Sequence, residues 1–243
     1  TLVSMIHVNN EMGSVQPVEE AGSLLSKFPK IQFHVDHVQG ITKVPLHLNK
    51  AGIDLCTISA HKFHGPRGVG LLYVREGANL MPLVSGGEQE NGFRSGTENL
   101  PAIVAMAKAL RLSLDASKTG LAKMENLLGQ LREGLAEIDG VVCNTPVHHS
   151  APHIMNFSVD GVKPEVLIHA LEQRNIYVST KSACSSREDG ASRVLLAAGI
   201  SGERAEQAIR VSLSFESSEH DIEETVKALK GIIPGLRKVG EGA

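Results

Sequence analysis

The chain has 243 residues, 42% of them hydrophobic, which is enough for one large domain or two small ones. The 24 Lys and Arg residues nearly balance the 27 Asp and Glu residues, and only 3% of residues are aromatic, so the composition speaks against nucleic-acid binding. No apolar run is long enough to cross a bilayer, and nothing resembles a signal peptide. Three cysteines without CxxC pairing disfavour disulfides and structural zinc, and they favour a cytoplasmic location.

The first half of the chain alternates short apolar strands with a helix and with glycine-rich turns. We predict a helix over residues 18–28, where Pro17 stands at the tolerated first turn. This alternation predicts an α/β layer with a mostly parallel sheet. The predicted strands cover residues 3–8, 31–36, 54–59 and 69–74.

After Pro101 the pattern changes to long helices followed by a mixture of strands and helices. We predict two helices at 102–114 and 121–138, and a last helix that starts at the capping-box pattern Ser218-x-x-Asp221. The second half therefore reads as a smaller α+β domain, and we place the boundary between residues 112 and 113. Further strands are predicted in the segments VVCN, IMNFSV, IYVST and IRVSLS, and further helices at 165–175 and 192–198.

Lys62 stands where the strand DLCTIS meets a glycine-rich turn, with Ser59 and His61 beside it. A lysine partly withdrawn from water has a lowered pKa and can form a Schiff base with an aldehyde cofactor. Taken alone, Lys62 is better explained as a surface lysine at a strand end.

Other polar residues make the cofactor interpretation stronger, because they also follow apolar strands. Asp36 ends the strand FHVD and could pair with the pyridinium nitrogen of pyridoxal phosphate, which makes the ring an electron sink. Gln39 and Asn10 could both reach the phenolic oxygen of that ring. Ligands bind at the carboxyl ends of parallel strands, so these positions together predict a pyridoxal-phosphate site.

Cys184 lies in the segment KSACSSREDGAS, which is small and polar and reads as an exposed loop. A thiol in such a loop can act as a nucleophile. Cys56 and Cys143 lie in apolar strands and fit packed core positions instead. His148 and His149 lack a third ligand at a suitable spacing, so we predict no metal site.

Five segments of the chain form an ordered set of motifs: HVNNEMG, HVDHVQG, SAHKFHGPRGVGLLYV, GGEQENGFRSGTENL and STKSACSS. Their order resembles that of the cysteine desulfurases, which are pyridoxal-phosphate enzymes of the class V aminotransferase fold family. The chain resembles the NifS/IscS-like group of that family over essentially its whole length.

The resemblance implies a role for each of these positions. Lys62 would form the Schiff base and Cys184 would accept sulfur as a persulfide, converting L-cysteine to L-alanine. Arg210 would bind the substrate carboxylate through two hydrogen bonds from its planar guanidinium group, and Asn10 would also contact the substrate. The implied cofactor-binding residues are Asn10, Asp36, Gln39, Ser59, His61 and Lys62, together with Thr97, which would reach the phosphate of the neighbouring subunit in a homodimer.

The resemblance also implies that residues 1–112 form the C-terminal half of the cofactor-binding large domain and that 113–243 form the small domain with the cysteine loop. The family's N-terminal part is missing, so we expect this chain alone to be inactive or to hold pyridoxal phosphate loosely. Three alternatives stay open: a selenocysteine lyase, a class V aminotransferase, and a sulfur-carrier fragment without cofactor. The sulfur acceptor also stays open between an iron–sulfur scaffold and a tRNA-thiolation protein.

Overall fold

The computed structural model describes residues 1–180 and 190–240 of the chain. These residues divide into two compact units: Thr1–Val8 with Gln16–Ser117, and Asn9–Val15 with the chain from Lys118 onward. The division falls within one long helix, close to the domain boundary that we predict at residue 112.

The first unit is built on a four-stranded sheet in the order β1-β2-β3-β4. The pairs β1–β2 and β2–β3 are parallel, and β3–β4 is antiparallel, which confirms the predicted mostly parallel sheet. The elements are β1 (Leu2–Ile6), α1 (Val18–Leu25), β2 (Gln32–Asp36), β3 (Leu55–Ser59), a 3₁₀ turn (Ala60–Phe63), β4 (Gly70–Val74) and a second 3₁₀ turn (Gln89–Gly92).

The two faces of this sheet differ because side chains alternate along each strand. On one face Phe33, Val35 and Cys56 are buried against Val18 of α1, and these apolar contacts form the core of the unit. On the other face His34 bridges its neighbours, with Nδ1 2.7 Å from Ser4 Oγ and Nε2 3.2 Å from Thr57 Oγ1. Asp36 lies on this polar face as well, two residues after His34.

The second unit combines an antiparallel sheet, in the order β5-β6-β7, with helices, as expected for an α+β unit. All six residues of β6 are buried, because helices cover the core that it shares with β7. The helix α2 (Leu100–Ala136) begins in the first unit and continues into the second from Lys118. The other elements of the second unit are β5 (Val141–Cys143), β6 (Ile154–Val159), α3 (Pro164–Glu172), α4 (Arg193–Ala197), α5 (Gly202–Glu206), β7 (Ala208–Ser212) and α6 (Glu219–Gly240).

Residues 9–15 leave the first sheet and join the second unit through backbone contacts. The hydroxyl of Thr145 donates to the carbonyl of Met12 at 2.6 Å, and the side-chain amide of Asn156 donates to the carbonyl of Glu11 at 3.2 Å. Gly13 has φ +74° and passes close to Ile154, whose carbonyl would lie 2.8 Å from an added Cβ. A glycine therefore meets both the backbone and the space requirement there.

Two sequence-based predictions of secondary structure are wrong. The two helices at 102–114 and 121–138 form the single 37-residue helix α2, which runs through Gly120. Gly120 leaves room for the ring of Phe215, so here it allows close packing and does not end the helix. The segment IYVST makes only an isolated bridge, from Ser179 to Arg210 of β7. In the described part of the chain, no helix is both long and apolar enough to span a membrane.

Candidate functional site

The turn after β2 presents Asp36 at the carboxyl end of a central parallel strand. One carboxylate oxygen of Asp36 accepts a hydrogen bond from the backbone N–H of Val38 at 2.9 Å, which fixes the side chain across its own turn. Gln39 is partly exposed in the same turn. The negative charge of Asp36 also acts on Cys56, whose pKa rises to about 11, mainly through burial and secondarily through this charge.

Two histidines support this turn from inside the unit. The Nδ1 atoms of His7 and His37 lie 2.9 Å apart, and both rings are buried. A Cβ at Gly40 would lie 2.5 Å from the His37 ring, so this position needs a glycine for the ring to fit. Burial lowers the pKa of both imidazoles, that of His37 to about 4. The pair is therefore neutral at physiological pH.

Lys62 sits in the 3₁₀ turn that follows β3 directly. Ser59 Oγ and His61 Nδ1 lie 2.8 Å apart at the start of this turn. The turn ends at His64, which has φ +63°, and the N–H of Gly65 donates to the carbonyl of Ala60 at 2.9 Å. A Cβ at Gly65 would approach Ala60 to 2.9 Å, so the chain can fold back this tightly only with glycine there.

The residues after β2 and β3 share one edge of the sheet, because these strands are parallel neighbours and both end there. The edge carries a carboxylate, an amide, an imidazole beside a hydroxyl, and a primary amine. This donor set fits pyridoxal phosphate, which needs a partner for its ring nitrogen, donors for its phosphate and an amine for its aldehyde. The residues of this edge are Asp36, Gln39, Ser59, His61 and Lys62.

The second unit contains Arg210, at the centre of β7. Its Nη1 donates to the carbonyl of Asn10 at 2.9 Å, and its Nε is buried with no hydrogen-bond partner among the described residues. Burial lowers the pKa of Arg210, and the nearby charge of Glu11 opposes this shift. A half-buried guanidinium with an unsatisfied donor is suited to binding an anion.

Glu11 connects this region to α4. It is buried, and one of its carboxylate oxygens accepts a hydrogen bond from the hydroxyl of Ser192 at 2.5 Å. The same hydroxyl accepts from the backbone N–H of Leu195 and so caps the start of α4. The described chain resumes just before Ser192, after the segment that contains Cys184.

The predicted site residues thus fall into groups. Five of them share the sheet edge of the first unit, whereas Asn10 and Arg210 belong to the second unit and contact each other there. Thr97 is exposed in the loop before α2. Cys184 lies outside the described residues.

Sequence reasoning missed Lys43, whose Nζ donates to the carbonyl of Lys62. The one signal in the sequence was its position between the apolar residues of ITKVPL, which is consistent with partial burial.

The chain is similar in sequence to known proteins. A sequence profile described as aminotransferase class-V matches residues 1–225. The chain is 40% identical over 241 residues to a NifS/IcsS protein homolog of Lactobacillus delbrueckii subsp. bulgaricus, covering 98% of this chain and 63% of that protein. It is 37% identical over 239 residues to the cysteine desulfurase IscS of Dictyoglomus turgidum, covering 98% of this chain and 60% of that protein.

Solved structures show the same likeness. A NifS-like protein superposes with a TM-score of 0.88 at 36% identity, covering 97% of this chain and 61% of that one. A NifS-like protein from Rickettsia africae ESF-5 gives a TM-score of 0.84 at 30% identity, covering 95% of this chain and 61% of that one. The chain thus spans 60–63% of the length of these relatives and structures. Since the profile match extends over residues 1–225, the chain belongs to the class-V aminotransferase family.

Proposed function

We propose that this chain forms part of a cysteine desulfurase, which converts L-cysteine to L-alanine and takes the sulfur as a persulfide on Cys184. The observation that carries the proposal is the shared sheet edge. There the 3₁₀ turn with Lys62, which follows β3, lies beside the turn with Asp36, which follows β2. The named relatives support the same reaction, since several of them are cysteine desulfurases at 37–39% identity.

The residues of the sheet edge would hold pyridoxal phosphate. Asp36 would keep the ring nitrogen protonated, Gln39 and Asn10 would contact the ring oxygen, and Ser59 and His61 would bind the phosphate. Bound at Lys62, this cofactor supplies an electron sink for the substrate α-carbon. The Lys62 amine, which holds the aldehyde at rest, moves the substrate α-proton.

The second unit would bind the substrate and receive its sulfur. Arg210 orients L-cysteine through the carboxylate, using donors that the carbonyl of Asn10 does not occupy. The Cys184 thiolate attacks the substrate sulfur, so that a sulfur–sulfur bond forms and the carbon–sulfur bond breaks. The electrons of the broken bond stay with the substrate carbon, which is protonated to give alanine.

Two further features of the proposal concern partners and location. Thr97 would contact the cofactor phosphate of a second subunit in a homodimer. The persulfide would pass to an acceptor protein, either an iron–sulfur scaffold or a tRNA-thiolation protein. A cytoplasmic setting suits this chemistry, because a reducing compartment keeps the thiol free.

An absorbance scan and an alanine assay test the proposal together. We expect a visible band after addition of pyridoxal phosphate, and alanine production from L-cysteine that Lys62→Ala abolishes. Lys50→Ala changes an exposed lysine paired with Glu19 and serves as the matched control. The chain covers 60–63% of the length of these relatives, so both measurements are made on a protein of the relatives' full length.

The role of Cys184 is tested by Cys184→Ser, with Cys143→Ser as its control. We expect Cys184→Ser to stop persulfide formation and alanine release, while Cys143→Ser retains both. A Cys184→Ser protein that keeps full turnover would instead favour an aminotransferase.

A further inference from the structure

A second lysine contacts the turn that carries Lys62. The ammonium of Lys43 donates to the backbone carbonyl of Lys62 at 2.9 Å. This carbonyl lies in the 3₁₀ turn Ala60–Phe63, where the carbonyl ends of the peptide groups carry partial negative charge. Lys43 thus ties the turn after β2 to the turn after β3, which are the two halves of the proposed cofactor site in the first unit.

The backbone around Lys43 is held firmly in place. The N–H groups of Lys43 and Val44 both donate to the carbonyl of Gly40, at 2.9 and 2.8 Å. Thr42, directly before Lys43, has φ +64°, which is an unfavourable conformation for a β-branched residue. Its hydroxyl accepts a hydrogen bond from Ser113 at 3.0 Å. Strain of this kind persists only where surrounding contacts enforce it, and here it directs Lys43 toward the Lys62 turn.

The charges of the two lysines act on each other. Burial lowers the pKa of Lys43 to about 8, and the positive charge of Lys62 adds to this shift. Interactions between two ionisable groups are reciprocal, so a protonated Lys43 makes protonation of Lys62 less favourable. Other charged groups lie near Lys62. The carboxylate of Asp36 stands at the same sheet edge, His61 lies in the turn itself and Arg67 in the loop after it. Burial and the charges of Lys62 and Arg67 lower the pKa of His61.

We propose that Lys43 is a positioning residue for Lys62. The ammonium of Lys43 fixes the 3₁₀ turn that carries Lys62, and its positive charge favours the neutral, nucleophilic form of the Lys62 amine. The inference rests on the proposed function for its catalytic meaning, but the contact between the lysines can be tested without the reaction.

Competitive acetylation with acetic anhydride tests the charge effect directly, because only neutral amines react. The rate at Lys62 is followed by peptide mass spectrometry across pH, with exposed Lys27 as the internal reference. At pH 7, where Lys43 is protonated, we expect the acetylation rate of Lys62, relative to its plateau rate at high pH, to fall roughly three- to tenfold in Lys43→Met. In Lys43→Arg, which keeps the charge, this ratio of rates should stay at the wild-type value. Lys50→Met, at an exposed position, is the matched control.

A purely structural Lys43 would change the rates at pH 7 and at the plateau by the same factor. An unchanged ratio of these two rates in folded Lys43→Met, or equal changes of the ratio in Lys43→Met and Lys43→Arg, overturns the proposal. Circular dichroism establishes that each variant is folded.

A second measurement separates this inference from the proposed function. Pyridoxal phosphate is incubated with the protein at neutral pH and trapped at Lys62 by borohydride. We expect trapping to be roughly three- to tenfold slower in Lys43→Met, in proportion to the loss of neutral amine. A wild-type protein that traps no pyridoxyl group at Lys62 contradicts the proposed function, while the acetylation rates at pH 7 and at the plateau still decide the role of Lys43.

Discussion

The imidazole rings of His7 and His37 lie against each other with their centroids 4.9 Å apart and their planes 29° apart. His7 follows β1 and His37 follows β2, so the pair joins the ends of two neighbouring parallel strands. Because His37 comes directly after Asp36, the pair also holds the turn that presents the Asp36 carboxylate.

The histidine pair predicts a loss of stability in acid. The pKa of His37 falls to about 4 in the folded protein from 6.5, so between these values the unfolded chain binds more protons. The contribution of neutral His37 to the free energy of unfolding is therefore fully present above pH 6.5. It is lost as the pH falls toward 4, which lowers the free energy of unfolding by roughly 3 kcal/mol. Urea unfolding between pH 4 and pH 7 measures it.

His37→Asn should flatten this pH dependence, because the asparagine has no proton to bind in that range. His148→Asn, at an exposed position, should leave it intact. If the two variants show the same slope of unfolding free energy against pH, the histidine pair is not its source.

Gly40 is predicted to be intolerant of any side chain. A Cβ there would lie 2.5 Å from two atoms of the His37 ring, so Gly40→Ala should destabilise the protein by roughly 1–3 kcal/mol in urea unfolding. Gly129→Ala is the matched control, since nothing lies within 4 Å of a Cβ at that site in α2. We expect it to stabilise the protein by roughly 0.5–1 kcal/mol.

A second background checks the cause of the Gly40 effect. In His37→Ala the ring is gone, so adding Gly40→Ala should cost much less than it does in the wild type. An equal cost in both backgrounds would mean that the His37 ring is not the constraint at Gly40.

Sequence reasoning predicts those parts of the fold and site that depend on local pattern. Asp36 and Lys62 both stand where an apolar strand gives way to a turn, and that signal suffices to place them at one edge of a parallel sheet. The contact from Lys43 to Lys62 joins two turns that are 19 residues apart in sequence, so no local pattern contains it. Gly120 is a second case in which local pattern is not enough. Its low helix propensity favours a break, but α2 runs through it, and the ring of Phe215 packs where a side chain would otherwise stand.

Cys56 is predicted to be inert toward alkylation. It is buried and its pKa is raised to about 11, so roughly one molecule in a thousand carries the thiolate at pH 8. Iodoacetamide at pH 8 should therefore label Cys56 at least a hundredfold more slowly in the folded protein than in urea. Cys143 is half-buried, and Arg132 and Arg204 oppose the rise of its pKa, so it should react faster than Cys56. Rapid labelling of Cys56 in the folded state would contradict this picture.

Two serines that cap helices should differ in their contribution to stability. Ser218 and Asp221 form a capping box at α6, with the Asp221 carboxylate accepting from the Ser218 N–H at 2.8 Å near the protein surface. Ser192 caps α4 and also donates to the buried carboxylate of Glu11. Ser218→Ala should cost roughly 1 kcal/mol, whereas Ser192→Ala should cost roughly 2–4 kcal/mol, because it leaves a buried oxygen of Glu11 without its donor.

Thermal or urea unfolding of both variants measures this difference, and Glu11→Gln identifies its origin. Replacing the carboxylate by a neutral amide lowers the penalty for losing the Ser192 hydroxyl, so the two changes together should cost less than their sum. Equal losses in Ser192→Ala and Ser218→Ala, with strict additivity in the double variant, would show that Ser192 acts only as a cap. A non-additive result would instead establish that the Glu11 carboxylate, whose charge acts on Arg210, is stabilised by the residue that caps α4.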